Sequence, residues 1–232
     1  MIAHNLKLIT ERLTAAAHRA NRSPADIKLV AVSKHISYEK VLQAVKCGQG
    51  TFGENYVQEA QEKIPLIRQN QTTKTIKFHF IGRLQSNKAR KAVELFDVIE
   101  TVDSVKLAKT LERHLTSLNR TITGYLQINI GRETQKSGVM PEDCQRILQE
   151  TSDLQHLKIV GLMAMPPFFS DPEKVRPYFR EMRLLAGNMA AKGLLERHGP
   201  PQLSMGMSGD FEIAIEEGAT VVRVGTAIFG QR

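Results

Sequence analysis

The residue best placed to do chemistry is Lys34, which directly follows the apolar run Lys28-Leu-Val-Ala-Val-Ser33. An apolar surround disfavours the ammonium form and lowers a lysine's pKa from about 10.4. The neutral amine can then form a Schiff base with an aldehyde, although a lysine at a strand end can equally snorkel to solvent. A second cluster, Gly53-Glu-Asn55-Tyr56, ends another apolar run; its alternative reading is turn chemistry with Asn55 as a helix N-cap. His79 lies inside Phe78-His-Phe-Ile81 and reads as a hydrogen-bonded core residue rather than a catalyst. No second histidine or carboxylate stands at metal-ligand spacing from it, so no metal site is expected.

Two further clusters could hold an anion. Ser204-Met-Gly-Met-Ser208-Gly-Asp210 combines a hydroxyl with glycines, and Gly225-Thr226 repeats that combination near the C-terminus. Glycines let backbone N–H groups approach a phosphate, while Asp210 reads as the cap of a short helix. Arg223 interrupts Thr220-Val-Val-Arg-Val-Gly225 and shares its parity with Gly225, so it is expected to point toward the same side. A buried guanidinium needs a partner. Glu54 and a bound ligand are both open for that role.

Eight short, near-continuously apolar runs position these clusters, as strands buried on both faces would. They are Lys28–Ser33, Thr51–Asn55, Lys77–Gly82, Asp97–Thr101, Gly124–Ile130, Leu157–Met163, Gln202–Gly206 and Thr220–Gly225. Amphipathic stretches lie between them: Tyr38–Cys47, a helix capped by Ser104, one opened by Pro141, Pro172–Lys192 and Asp210–Gly218. Alternation on this scale predicts an α/β protein: a single (β/α)8 TIM barrel, with a doubly wound open sheet as the competitor. The expected organisation is one domain over 1–232. It has an extra N-terminal helix (Ile2–Ala20, within segment 1–22) and a barrel from about 27 to 230. In either architecture the site lies at the C-terminal ends of the strands, where every cluster above falls.

The chain has 232 residues, 41% hydrophobic and 24% charged, which suits a globular domain and excludes wholesale disorder. No apolar run reaches the length of a membrane helix and no secretory pattern opens the chain, so a soluble, cytoplasmic protein without membrane contact is expected. Two cysteines, Cys47 and Cys144, supply neither a disulfide framework nor a zinc knuckle. The formal charge of +8 raises the question of nucleic acid. Its densest cluster, Arg83, Lys88, Arg90 and Lys91, has no interleaved aromatics for base stacking and reads as a solvated face. The same positive field suits a small phosphorylated ligand.

Taken together, Leu29-Val-Ala-Val-Ser-Lys34, Phe52-Gly-Glu-Asn-Tyr-Val-Gln-Glu59 and His79-Phe-Ile-Gly-Arg-Leu-Gln-Ser-Asn-Lys88 resemble motifs of the pyridoxal phosphate homeostasis protein family. So do Gly161-Leu-Met163, Leu203-Ser-Met-Gly-Met-Ser208 and Arg223-Val-Gly-Thr-Ala-Ile-Phe-Gly230, in family order across nearly the whole chain. That family is related to the N-terminal domain of alanine racemase. The resemblance implies a fold-type III barrel in which Lys34 holds pyridoxal 5'-phosphate (PLP) as a Schiff base. It further implies that Ser208, Gly225, Thr226 and the backbone near Met207 bind the phosphate. Arg223 would face the pyridine nitrogen, and Asn55 would lie near the ring. His35 departs from the family, which often has a smaller polar residue there.

This cofactor opens many amino-acid reactions, yet two features point away from turnover. Arginine stays protonated, so Arg223 would leave the ring nitrogen unprotonated and a weak electron sink. A racemase also needs an acid/base on the opposite cofactor face, which alanine racemases take from a C-terminal domain. Only six residues follow Thr226, leaving Tyr38, Tyr56, Tyr125 and Tyr178 as candidate substitutes. The expected function is therefore non-catalytic: holding PLP for vitamin B6 homeostasis and amino-acid balance. Apo-PLP enzymes are the conceivable recipients, and a monomer is expected. A weakly active PLP-dependent amino-acid racemase is the alternative.

Overall fold

Each apolar run forms a parallel strand, as β-branched residues buried on both faces favour. The computed structural model describes residues 1–70, 76–195 and 197–230. The strands are β1 (Lys28–Val32), β2 (Thr51–Glu54), β3 (Lys77–Phe80), β4 (Val98–Val102), β5 (Ile122–Ile128), β6 (Leu157–Ala164), β7 (Gln202–Ser204) and β8 (Val221–Val224). They pair in chain order and close into a barrel. The closing seam sets Val30 opposite Arg223, which excludes the open sheet. This is a TIM barrel.

The helices are α1 (Ile2–Arg19), α2 (Tyr38–Lys46), α3 (Val57–Gln69), α4 (Ala89–Leu95), α5 (Val105–Ser117), α6 (Cys144–Glu150), α7 (Arg176–Ala191), α8 (Phe211–Glu216) and α9 (Thr226–Phe229). Ser104 caps α5 by accepting from the Leu107 N–H. Pro141 and Pro172 open 3-10 turns that lead into α6 and α7, rather than the α-helices themselves. The sequence pattern did not reveal α3, α4 or α9; Pro65 interrupts the propensity of α3.

Strand parity splits the apolar side chains into two layers. Val30, Val98, Tyr125, Val160, Met163 and Val221 cluster apart from the main core. That core, between sheet and helices, includes Phe52, Phe78, Phe80, Phe96 and Leu111. The stripe Ile2, Leu6, Ile9, Leu13, Ala16 and Ala17 buries α1 against α8 and α9. Asn5 Nδ2 donates to the Ile228 carbonyl at 2.9 Å, tying α1 to the segment that carries Thr226. Among the described residues no helix is long and apolar enough to cross a membrane.

Candidate functional site

At the C-terminal mouth of the barrel lies a cavity of about 630 Å³. Lys34 lines it from the end of β1, Asn55 from β2, Met207 and Ser208 from the loop after β7, and Arg223, Gly225 and Thr226 from β8 and its end. The structure thus brings together every residue singled out in the sequence for this site. Val32, Ile81, Met165, Phe168, Phe169 and Val175 form its apolar wall. Sequence reasoning had placed Pro166–Phe169 in a loop without assigning it to the site.

The Lys34 turn is built by charge and backbone bonding. The Ser33 N–H donates to the Gly53 carbonyl at 2.9 Å, and His35 adopts a left-handed φ of 58°. Lys63, buried on α3, donates from Nζ to Ser33 O at 2.8 Å, Glu54 Oε1 at 2.9 Å and Glu59 Oε1 at 2.6 Å. Glu59 Oε1 also accepts from the His35 N–H at 2.7 Å, and Ser33 Oγ donates to Glu54 Oε1 at 2.7 Å. Burial pushes the Glu54 carboxyl above its ordinary pKa, against the opposing pull of Lys63. Lys63 and Glu59 were missed in the sequence. Their i, i+4 spacing is the one signal that could have found them.

Asn55 is not a helix cap: Tyr56 occupies the N-cap position of α3, and the Asn55 Oδ1 is buried without a hydrogen-bond partner among the described residues. Gly82 holds it in place, since a Cβ there would stand 2.1 Å from the Asn55 carbonyl oxygen. Asp210 takes the N-cap position of α8, but its Oδ1 accepts from the Met207 N–H at 2.6 Å rather than from the helix. That bond shapes the loop bearing Ser208. Burial raises the Asp210 pKa. Across the loop, the Gly225 N–H and the Thr226 hydroxyl both donate to Ser208 Oγ at 3.3 Å.

Arg223 does point inward, as its parity requires, and it is 3% exposed. Its carboxylate partner is Glu100 on β4, with Nη1 3.6 Å from Oε2, and not Glu54, which Lys63 already engages. The guanidinium also donates to Ser204 Oγ and to the Ala164 carbonyl at 2.8 Å. Ser204 Oγ donates on to Glu100 Oε2 at 2.6 Å, and His79 Nδ1 lies 2.5 Å from Glu100 Oε1. His79 is therefore a core residue with a structural bond. Burial favours the neutral acid at Glu100, but His79, Arg223 and Ser204 outweigh it and hold the carboxyl below its ordinary pKa. Burial also lowers Arg223, with Glu100 opposing it. An arginine side chain stays protonated in proteins, so the guanidinium is a cation at neutral pH.

None of the four tyrosines lines this cavity among the described residues. Tyr125 is buried in a hydrogen bond to Gln202, and burial raises its pKa. Tyr178 stacks on Phe169, and Tyr56 lies 5.1 Å from the His35 ring. The basic cluster is also divided. Arg90 and Lys91 pair with Glu94 on an exposed face of α4, whereas Arg83 and Lys88 line a separate polar cavity at the mouth.

The family described as alanine racemase, N-terminal domain, matches residues 2–232. A pyridoxal phosphate homeostasis protein of Escherichia coli is 40% identical over 232 residues, covering 100% of this chain and 97% of its own length. Its counterpart in Aquifex aeolicus is 37% identical over 227 residues, 98% of this chain and 96% of that protein. PipY of Synechococcus elongatus, solved with PLP bound, superposes with a TM-score of 0.83 at 36% identity, covering 99% of this chain and all of PipY.

Proposed function

Because the chain belongs to the alanine racemase N-terminal domain family, we propose that it binds PLP through Lys34 and acts in PLP homeostasis, holding the cofactor rather than turning over a substrate with it. The carrying observation is the convergence of Lys34, Arg223, Ser208, Gly225 and Thr226 on one cavity, with Asn55 beside them. The fit is chemical. Asn55 Oδ1 is a buried acceptor without a hydrogen-bond partner among the described residues. The bond from the Thr226 hydroxyl to Ser208 Oγ, at 3.3 Å, is long for a hydroxyl contact and can be exchanged for a bond to an anion.

When bound, PLP supplies an aldehyde that condenses with a primary amine, losing water. Every other contribution comes from the chain. Ser33, Lys63 and Glu59 fix the turn that aims Lys34. Ser208, Thr226 and the backbone at Met207 and Gly225 would hold the phosphate. Arg223, kept cationic and oriented by Glu100, Ser204 and Ala164, would face the ring nitrogen and keep it unprotonated. That arrangement, and a lining without tyrosine among the described residues, favour a holder over a racemase.

The test is an absorbance spectrum of the purified protein with added PLP, followed by borohydride reduction and peptide mapping. A reduced pyridoxyl adduct on Lys34, lost in Lys34→Ala, is expected. Failure to take up PLP overturns the reading, and amino-acid turnover by the loaded protein overturns its non-catalytic part.

A further inference from the structure

The reading above leaves Arg83 without a task. It follows β3, which in the eight-membered ring stands four strands from β7, across the mouth from the loop bearing Ser208. Arg83 lines two cavities that flank the one holding Lys34. The larger, of about 870 Å³, adjoins it through Asn55 and is walled by Gln85, Ser86, Lys88 and Asp103. The smaller, of about 360 Å³, adjoins it through Met165, Phe168 and Met207.

Two other cations near the mouth are committed. Arg132 pairs with Glu142 and Glu181, and Lys136 with Glu133. Arg83 makes no hydrogen bond and no ion pair within 4.0 Å among the described residues. Asp103, on the same cavity wall, feels its charge, while burial raises the Asp103 carboxyl pKa. An exposed guanidinium presents a planar fork of donors matched to a carboxylate. A phosphate has its own cradle on the opposite side of the ring.

We propose that Arg83 binds the carboxylate of the primary amine that displaces PLP from Lys34, so that amines bearing a carboxylate, such as α-amino acids, release the cofactor in preference to plain amines. This rests on the cofactor reading above. In the exchange the incoming nitrogen forms a C=N bond to the aldehyde carbon of PLP while the C=N bond to Lys34 Nζ breaks. The two protons of the incoming NH2 group pass to Lys34, which leaves as a neutral amine. No oxidant or reductant is required. Lys88, on the same cavity wall, adds to the positive field.

The experiment compares release of PLP from the loaded protein by alanine and by ethylamine at equal free-amine concentration. Alanine is expected to act saturably and faster. Arg83→Gln should slow it by about tenfold, the size of one charge-assisted hydrogen bond, and leave ethylamine within about twofold. A second readout needs no cofactor: propionate should protect Arg83 of the unloaded protein from phenylglyoxal, mapped by mass spectrometry. Equal slowing of both amines, no slowing of either, or no protection by propionate overturns the proposal. A protein that takes up no PLP instead fails the cofactor reading, and the propionate readout distinguishes the two failures.

Discussion

Replacing Arg223 with methionine should destabilise the unloaded protein in a pH-dependent way. The guanidinium lies 3.6 Å from a Glu100 carboxylate in a wholly buried setting. At an effective dielectric of about 20, that separation corresponds to about 5 kcal/mol of Coulomb attraction. Two further hydrogen bonds, to Ser204 and Ala164, are lost with it. Removing a buried cation also relieves its own desolvation, so the net cost expected is about 3–5 kcal/mol. In the wild type Glu100 titrates below its ordinary pKa, so its contribution is present above the unfolded value and is lost as pH falls through the folded one. Without Arg223, His79 and Ser204 oppose burial with less help and the folded pKa moves upward, so less of the ionised form's contribution survives. The deficit should therefore grow from pH 3 to pH 8. Urea unfolding at both pH values reads it, and Glu100→Gln combined with Arg223→Met should recover part of the loss at pH 8. Equal deficits at both pH values, or no coupling in the double-mutant cycle, would refute the reasoning.

Four other substitutions test the site and the frame around it. Ser208→Ala and Thr226→Ala should each weaken PLP binding by about tenfold or more, the worth of a hydrogen bond to a charged group. Spectroscopic titration measures this, and unchanged affinity in both variants would remove those hydroxyls from the phosphate site. Gly82→Ala drives a Cβ to 2.1 Å from the Asn55 carbonyl, so backbone must move, at about 1–3 kcal/mol. Gly187→Ala, on α7 with nothing within 4 Å of the added carbon, should instead stabilise the protein by about 0.5–1 kcal/mol. Thermal or urea unfolding ranks the pair, and a neutral Gly82→Ala would contradict the close approach.

What the sequence made legible follows from what period and position carry. Continuous apolar runs located the strands, and parity alone aimed Arg223 inward. Parity gives a direction but no partner, which is why Glu54 remained open as the counter-charge. Closure of the barrel selected Glu100, a residue of β4 brought across the interior to β8. Asn55 looked like a cap because it precedes a helix, yet the helix begins one residue too late for that role. Asp210 has the cap position but bonds backward to Met207. In both cases residue type beside a helix start did not fix the side chain's bond: Asp210 bonds within its own loop, and Asn55 Oδ1 has no partner among the described residues.

The aim of Lys34 depends on residues less visible than Lys34 itself. A left-handed conformation at a residue such as His35 costs about 1–3 kcal/mol. The bond from its N–H to Glu59 Oε1, at 2.7 Å, can return about 1.5–3 kcal/mol because its acceptor is a carboxylate. Glu59 is in turn held by Lys63, which also grips the carbonyl of Ser33. Both residues sit on α3, the helix that Pro65 concealed from the hydrophobic pattern. The lysine proposed to hold the cofactor therefore sits on a turn fixed by an ion cluster 25 to 29 residues further along the chain. Its position after an apolar run is legible in the sequence; the shape of its turn is a property of the folded barrel mouth.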